Sequence, residues 1–204
     1  MRIRAATPDD LPDATDCMVG AFSADPLLGA LFDDSPLGRD PAAALFFGLL
    51  LEVRLALNMP ALVAKVDDSL VGVAMGYDTA PPEWPAGFQQ RWQEFEAINP
   101  ALAARFATYD RIAAAAGLNM PHYYLGVLAV HPKFQGVGIG KALIGAFLDL
   151  SGRDSRSQGT SLETASPSNI ELYGRFGFQT QSTGALDRVT LWCMFCPKPA
   201  DPEL

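Results

Sequence analysis

Residues 131–145 read HPKFQGVGIGKALIG. The apolar run YYLGVLAV precedes them at 123–130, and an apolar helical pattern follows. This order predicts a strand that passes through a glycine turn into a helix. A junction of that kind aims free backbone N–H groups and the positive end of a helix dipole at one point, where an anion can bind. Glycines let phosphate oxygens approach the backbone with no Cβ in the way. The strand must lie in a sheet with the helix packed on it, which favours an α/β or α+β layer fold.

Two common phosphate-binding patterns fail here. A P-loop, G-x-x-x-x-G-K-[ST], ending at Gly140-Lys141 would put Gln135 at its first glycine and Ala142 at its hydroxyl. A G-x-G-x-x-G fingerprint starting at Gly136 would end on Lys141, and one starting at Gly138 on Leu143. What remains is Gln135-x-x-Gly138-x-Gly140. It resembles the acetyl-CoA motif Q/R-x-x-G-x-G/A of the GNAT superfamily of N-acetyltransferases. LETASPSNIELYGRFGF at 162–178 resembles the superfamily's next segment, with Asn169, Tyr173 and Gly177-Phe178 in place. AFSADP at 21–26, the segment before HYYLGVLAVHP, and the closing TLWCMFCPKP resemble the subgroup that includes puromycin N-acetyltransferase.

The resemblance implies a single GNAT-like α/β (α+β) domain over 1–204. Its central sheet is expected to be mixed, mostly antiparallel and flanked by helices. Residues 1–121 would form mainly the acceptor side, with a helical insertion at 80–121, and 122–196 the acetyl-CoA-binding core. It implies transfer of an acetyl group from acetyl-CoA to a primary amine of a small molecule by direct attack. The main chain of Leu128, Ala129 and Val130 would run along the pantetheine. Gln135, Gly136, Val137, Gly138, Ile139, Gly140 and Lys141 would hold the diphosphate, and Asn169 would bond the pantetheine amide. Tyr173 matches the general acid of many relatives, and a phenol with a pKa near 10 is protonated at neutral pH. Phe22, Asp25 and Pro26 match a segment near the acceptor.

Other assignments come from the residues themselves. Glu163 in SLETA sits in an expected inner strand, where a carboxylate is costly unless it is used. It is the candidate general base, with a hydrogen-bonded structural role as the equal alternative. Phe88, Trp92 and Phe95 share one helical face and Leu102, Phe106, Tyr109 and Ala113 another, so 80–121 reads as a helical pair. Trp84, Phe88, Trp92 and Tyr109 are candidate aromatic walls, and Glu94, Glu96 and Asp110 candidate attractors of an ammonium. His122 and His131 read as structural. Helices are expected from Leu11 to Phe22 and over 41–57, strands around a turn at Asp67-Asp68-Ser69, a helix over 138–150, and closing strands at 177–182 and 188–196.

A formal net charge of −8 argues against nucleic-acid and anionic-membrane partners, which need basic faces. The longest apolar run, 42–51, is too short to span a bilayer, and MRIRAATPDDLPD has no secretory pattern. A cytoplasmic protein is expected. Cys193 and Cys196 form a C-x-x-C, but in a β-type context that points them to opposite faces, and no metal site is expected. The apolar C-terminal strand could pair across a homodimer. A silent CoA-binding sensor, a longer acyl donor and a protein-lysine acceptor stay open as alternatives.

Overall fold

The computed structural model describes residues 1–199. Strand β1 (Arg2–Ala5) leads through a short 3-10 turn at Pro8–Asp10 into helix α1 (Leu11–Ala21). Asp10 locks this entry. Its carboxylate accepts from Arg4 Nη1 and Nη2 at 2.6 and 2.7 Å and from the Thr7 N–H and hydroxyl at 2.9 Å. Helix α2 (Pro26–Phe32) follows, between the two helices expected at Leu11 to Phe22 and over 41–57. Seven residues are too few to show a helical period. Its start signal is present, though: Asp25 caps it by accepting the Leu28 N–H at 3.1 Å, and proline stands at the first position.

Helix α3 (Arg39–Ala56), strands β2 (Ala61–Val66) and β3 (Ser69–Tyr77), and helices α4 (Ala86–Ile98) and α5 (Leu102–Ala114) match the expected pattern. Asp67 and Asp68 both have positive φ in the β2–β3 turn. The α4–α5 pair is held to α3 by aromatic packing. Phe46 stacks on Phe106 with centroids 5.8 Å apart, and Trp92 lies 4.9 Å from Phe106. Each such ring contact adds about 0.5–1.5 kcal/mol beyond its buried area. Strand β4 (Tyr123–Val130), helix α6 (Ile139–Arg153), strand β5 (Gly159–Thr164), helix α7 (Pro167–Gly174) and strands β6 (Gln179–Leu186) and β7 (Val189–Pro197) complete the domain. β6 runs to Leu186, past the expected 182.

The seven strands form one sheet in the order β1-β2-β3-β4-β5-β7-β6. Only β4 and β5 pair in parallel. On one face Met18, Phe47 and Leu51 pack from α1 and α3; on the other Leu143, Ile144 and Phe147 pack from α6. β7 has β5 on one side and β6 on the other. It therefore has no free edge for a partner, which corrects the expected dimer contact through the C-terminal strand.

β4 changes face partway along. Tyr123 and Leu125 belong to the α6-side core, whereas Val127 and Ala129 belong to the α1/α3-side core. A strict two-residue period would keep all four on one side. The register supplies the reason: Met75 pairs with Val127 and Gly76 with Leu125, so Gly126 is an inserted bulge residue. Gly76 is required opposite it, because a Cβ there would lie 1.6 Å from the Tyr124 carbonyl oxygen.

Candidate active site

β4 and β5 are bonded only at their starts, through Tyr123–Thr160 and Tyr124–Ser161. Beyond that, β4 stays with β3 to Val130 and β5 stays with β7 to Thr164. The two strands part and leave a gap in the middle of the sheet. The His131 N–H donates to the Val71 carbonyl at 2.9 Å. Antiparallel alternation then directs the main-chain groups of Val127 and Ala129 to β3, and those of Leu128 and Val130 into the gap. Of the three residues expected along a cofactor, Ala129 thus has its N–H and C=O committed to the sheet. The Val130 carbonyl accepts from Gln135 Nε2 at 3.0 Å, so Gln135 ties the turn back to the strand. An unpaired backbone group in such a place costs about 1–3 kcal/mol unless water or a ligand satisfies it.

The glycine turn closes one end of this gap. Gly136 and Gly138 have φ of 80° and 93°, left-handed values that cost other residues about 1–2 kcal/mol. Gly138 is the N-cap of α6, whose first backbone bond runs from the Ala142 N–H to the Gly138 carbonyl at 3.0 Å. The N–H groups of Ile139, Gly140 and Lys141 precede that bond, and no side chain caps them. A Cβ on Gly138 would meet nothing within 4 Å, and one on Gly140 would meet only Val130 Cγ2 at 3.5 Å. Tight helix–sheet packing is therefore not why these glycines are there. The Val137 side chain is 73% exposed and Lys141 is exposed beside it.

On the α3/α5 side the gap meets a cavity of about 1060 Å³. Of the residues expected on the acceptor side, Phe22, Trp92, Glu96, Tyr109 and Asp110 line it. Pro26, Trp84, Phe88 and Glu94 do not, nor does Asp25, which caps α2. Glu163 opens into the cavity from β5. The Tyr109 hydroxyl donates to Glu163 Oε2 at 2.8 Å and lies 2.8 Å from the Tyr124 hydroxyl. The Tyr124 ring packs on Tyr77 at 4.7 Å. Burial raises the Glu163 pKa against the opposing pull of the Tyr124 and Tyr109 hydroxyls. Burial also holds both phenols well above their ordinary value, so they remain donors. Asp110, another wall residue, is raised by burial too.

Tyr173 lies on α7, 7% exposed, with its ring edge-on to Phe178. Burial, and secondarily the charge of Asp25, push its pKa up to about 12. Asn169, one turn earlier, donates from Nδ2 to Thr164 Oγ1 at 3.4 Å, a long bond that fixes it only loosely. Cys193 and Cys196 do point apart: one thiol faces the Ile112 carbonyl on α5, the other the Phe176 carbonyl after α7. His122 bonds the Met120 carbonyl through Nδ1 at 2.7 Å, and His131 accepts from the Lys133 N–H.

Sequence reasoning missed Tyr77, Tyr124 and Arg54, all cavity residues. Arg54 left a signal. It stands seven residues after Phe47 and three after Leu51, on the buried stripe of α3, where a charge is out of place. Tyr124 left none, because its face depends on the bulge.

Residues 102–180 match the family model described as an acetyltransferase (GNAT) domain. Solved structures similar over nearly the whole chain include "histone acetyltransferase HPA2 and related acetyltransferase" from Corynebacterium glutamicum. That protein is 24% identical, with 99% of this chain and 98% of that one covered and a TM-score of 0.74. Arylalkylamine N-acetyltransferase 2 from Aedes aegypti is 17% identical, with 96% and 98% covered and a TM-score of 0.68. Ribosomal-protein-alanine N-acetyltransferase from Brucella melitensis is 19% identical, with 97% and 99% covered and a TM-score of 0.60. Residues 102–180 are thus similar to a GNAT acetyltransferase domain, and the chain as a whole shares the fold of these solved structures. The match spans the splayed strands, the glycine turn and α7.

Proposed function

We propose that the chain is an acetyl-CoA-dependent N-acetyltransferase acting on the primary amine of a small molecule. The observation that carries this reading is the gap beyond Tyr124, with free strand backbone along it, an anion-binding turn at one end and a carboxylate-bearing cavity beside it. The turn fits a diphosphate: three uncapped N–H groups point out of the α6 start, no side chain crowds Gly138, and Lys141 adds a positive charge. Acetyl-CoA would supply the activated acetyl thioester. Leu128 would receive the pantetheine or thioester oxygen with its gap-facing N–H, a fixed donor of the kind that stabilises developing negative charge.

Glu163 would accept the proton of the incoming amine, directly or through water, and burial, by raising its pKa, makes it a stronger base than an ordinary carboxylate. Tyr173 would return a proton to the departing sulfur. Asn169, its only side-chain bond a long one, would turn to the pantetheine amide. The volume of the cavity suits a small acceptor, and its Phe, Trp and Tyr walls suit an apolar body. Three free thiols support a cytoplasmic setting, and no helix among the described residues is long and apolar enough to cross a membrane. The test is CoA release from acetyl-CoA across a panel of small amines, with calorimetric titration of CoA alongside. Neither binding nor release with any amine would reject the proposal.

A further inference from the structure

Arg54 is the only lysine or arginine in the cavity wall among the described residues. It comes from the last turn of α3 and is 7% exposed. One edge of its guanidinium is used: Nη1 donates to the Leu50 carbonyl of its own helix at 2.9 Å. The other edge is idle. Nε is fully covered and has no partner, and Nη2, which is not sealed, bonds nothing in the described protein. No carboxylate pairs with it there, and the polar groups nearest in charge are Tyr77 and Tyr124. A buried cation without a counter-ion is expensive, and the helix C-terminus offsets only part of that cost. The Nε–Nη2 edge is the planar fork that matches a carboxylate.

The opposite charge pattern appears across the same cavity. Glu96, Asp110 and Glu163 line it, and Asp110 and Glu163 have no ionic partner among the described residues. Tyr77 and Tyr124 are the neighbours of Arg54, and Tyr109 and Tyr124 those of Glu163. The cavity wall thus carries one cation and several carboxylates.

We infer that the acceptor is an aminocarboxylate: its amine is presented toward Glu163 and its carboxylate is held by the Arg54 guanidinium, first through the unbonded Nη2. This rests on the acetyl-transfer reading and narrows its substrate class. The cavity's Phe, Trp and Tyr walls suit an apolar or aromatic body between the amine and the carboxylate.

Matched acceptors test it. 5-Aminopentanoate and 4-(2-aminoethyl)benzoate are compared with pentylamine and 2-phenylethylamine, which lack only the carboxylate. The parent should favour at least one carboxylate-bearing member by about tenfold or more in kcat/KM, and R54M should bring that ratio to about one. A binding arm needs no turnover: calorimetry of 3-phenylpropionate against 3-phenylpropanol should show a preference for the acid in the parent and none in R54M. R54M should melt at or above the parent temperature, because an unpaired buried charge is removed. Equal handling of acid and neutral ligands by the parent, or an undiminished preference in R54M, overturns the inference. If R54M does not fold, R54Q decides: it keeps a polar side chain of similar length but removes the charge, and a full preference there overturns the carboxylate site. Absence of turnover with every amine rejects the acetyl-transfer reading alone, and the phenylpropionate titration still reads Arg54.

Discussion

Tyr109 on α5 and Glu163 on β5 meet at 2.8 Å, hydroxyl to Oε2, across the cavity wall. The bond joins the helical pair to the splayed strand. It also sets an opposition: burial raises the Glu163 pKa, and the phenol donor lowers it. Because the folded value lies above the unfolded one near 4.5, Glu163 favours the folded state fully below that range. The contribution is lost as pH rises through the folded value. Glu163→Gln removes the charge and should raise the melting temperature at pH 8, by about 2–4 °C for each kcal/mol, with little difference at pH 4. It should also lower kcat by about 10²–10⁴-fold and abolish the acidic limb of kcat/KM. Tyr109→Phe should move that limb to higher pH. A Gln variant with parental kcat and an intact acidic limb would leave Glu163 a structural carboxylate.

Much of this site was readable in the residues. The glycine turn, the strand before it and the helix after it follow from composition and period, and Glu163 stood out as a carboxylate in an apolar strand. The bulge at Gly126 did not. A bulge is one extra residue, and YYLGVLAV alternates equally well with or without one. The face of Tyr124 was therefore undetermined, and with it the Tyr109–Tyr124–Glu163 cluster, whose members come from three separate elements. Helix α2 was hidden by its length, and the idle edge of Arg54 is a property of packing that no spacing encodes.

Gly140 separates folding from ligand binding better than Gly138. Gly138 is left-handed, so any side chain there strains the backbone as well as the anion site. Gly140 has no such requirement, and the nearest protein atom to its missing Cβ is at ordinary contact distance. Gly140→Ala should leave the fold intact or stabilise it by up to about 1 kcal/mol through helix propensity. It should nevertheless weaken CoA by about tenfold or more, since the methyl projects where oxygens must approach N–H groups. Thermal melting and calorimetric titration on the same sample give both numbers. Unchanged CoA affinity would move the diphosphate away from this turn.

Asp10 should dominate the acid sensitivity of the fold's entry. It is 4% exposed, and the Arg4 fork, helped by the Thr7 donors, holds its pKa well below the usual carboxylate range. A depressed folded value gives stability that is present above the unfolded pKa near 3.9 and lost as pH falls toward the folded one. Asp10→Asn keeps the shape but loses the ion pair, and should cost about 1–3 kcal/mol at pH 7. The gap between variant and parent should shrink below pH 4. Urea melts at pH 7 and pH 3 measure it, and an equal gap at both would show that charge is not what Asp10 contributes.

Tyr173 gives the sharpest separation of chemistry from structure. Its ring is packed against Phe178, while its hydroxyl makes no hydrogen bond with the described protein. Removing that oxygen forfeits no internal bond, so Tyr173→Phe should change stability by no more than about 0.5 kcal/mol. The pKa near 12 keeps the phenol protonated across the working range, so Tyr173 itself should add no alkaline limb to the rate below pH 10. If the hydroxyl delivers the proton to the leaving sulfur, kcat should fall by about 10²–10⁴-fold. The KM for acetyl-CoA should stay near the parent's, since the interaction grows only as the thiolate departs. Steady-state rates on the best accepted amine, with a pre-steady-state check that chemistry limits turnover, decide the matter. A phenylalanine variant within twofold of the parent under those conditions would make Tyr173 a wall of the gap and solvent the proton source.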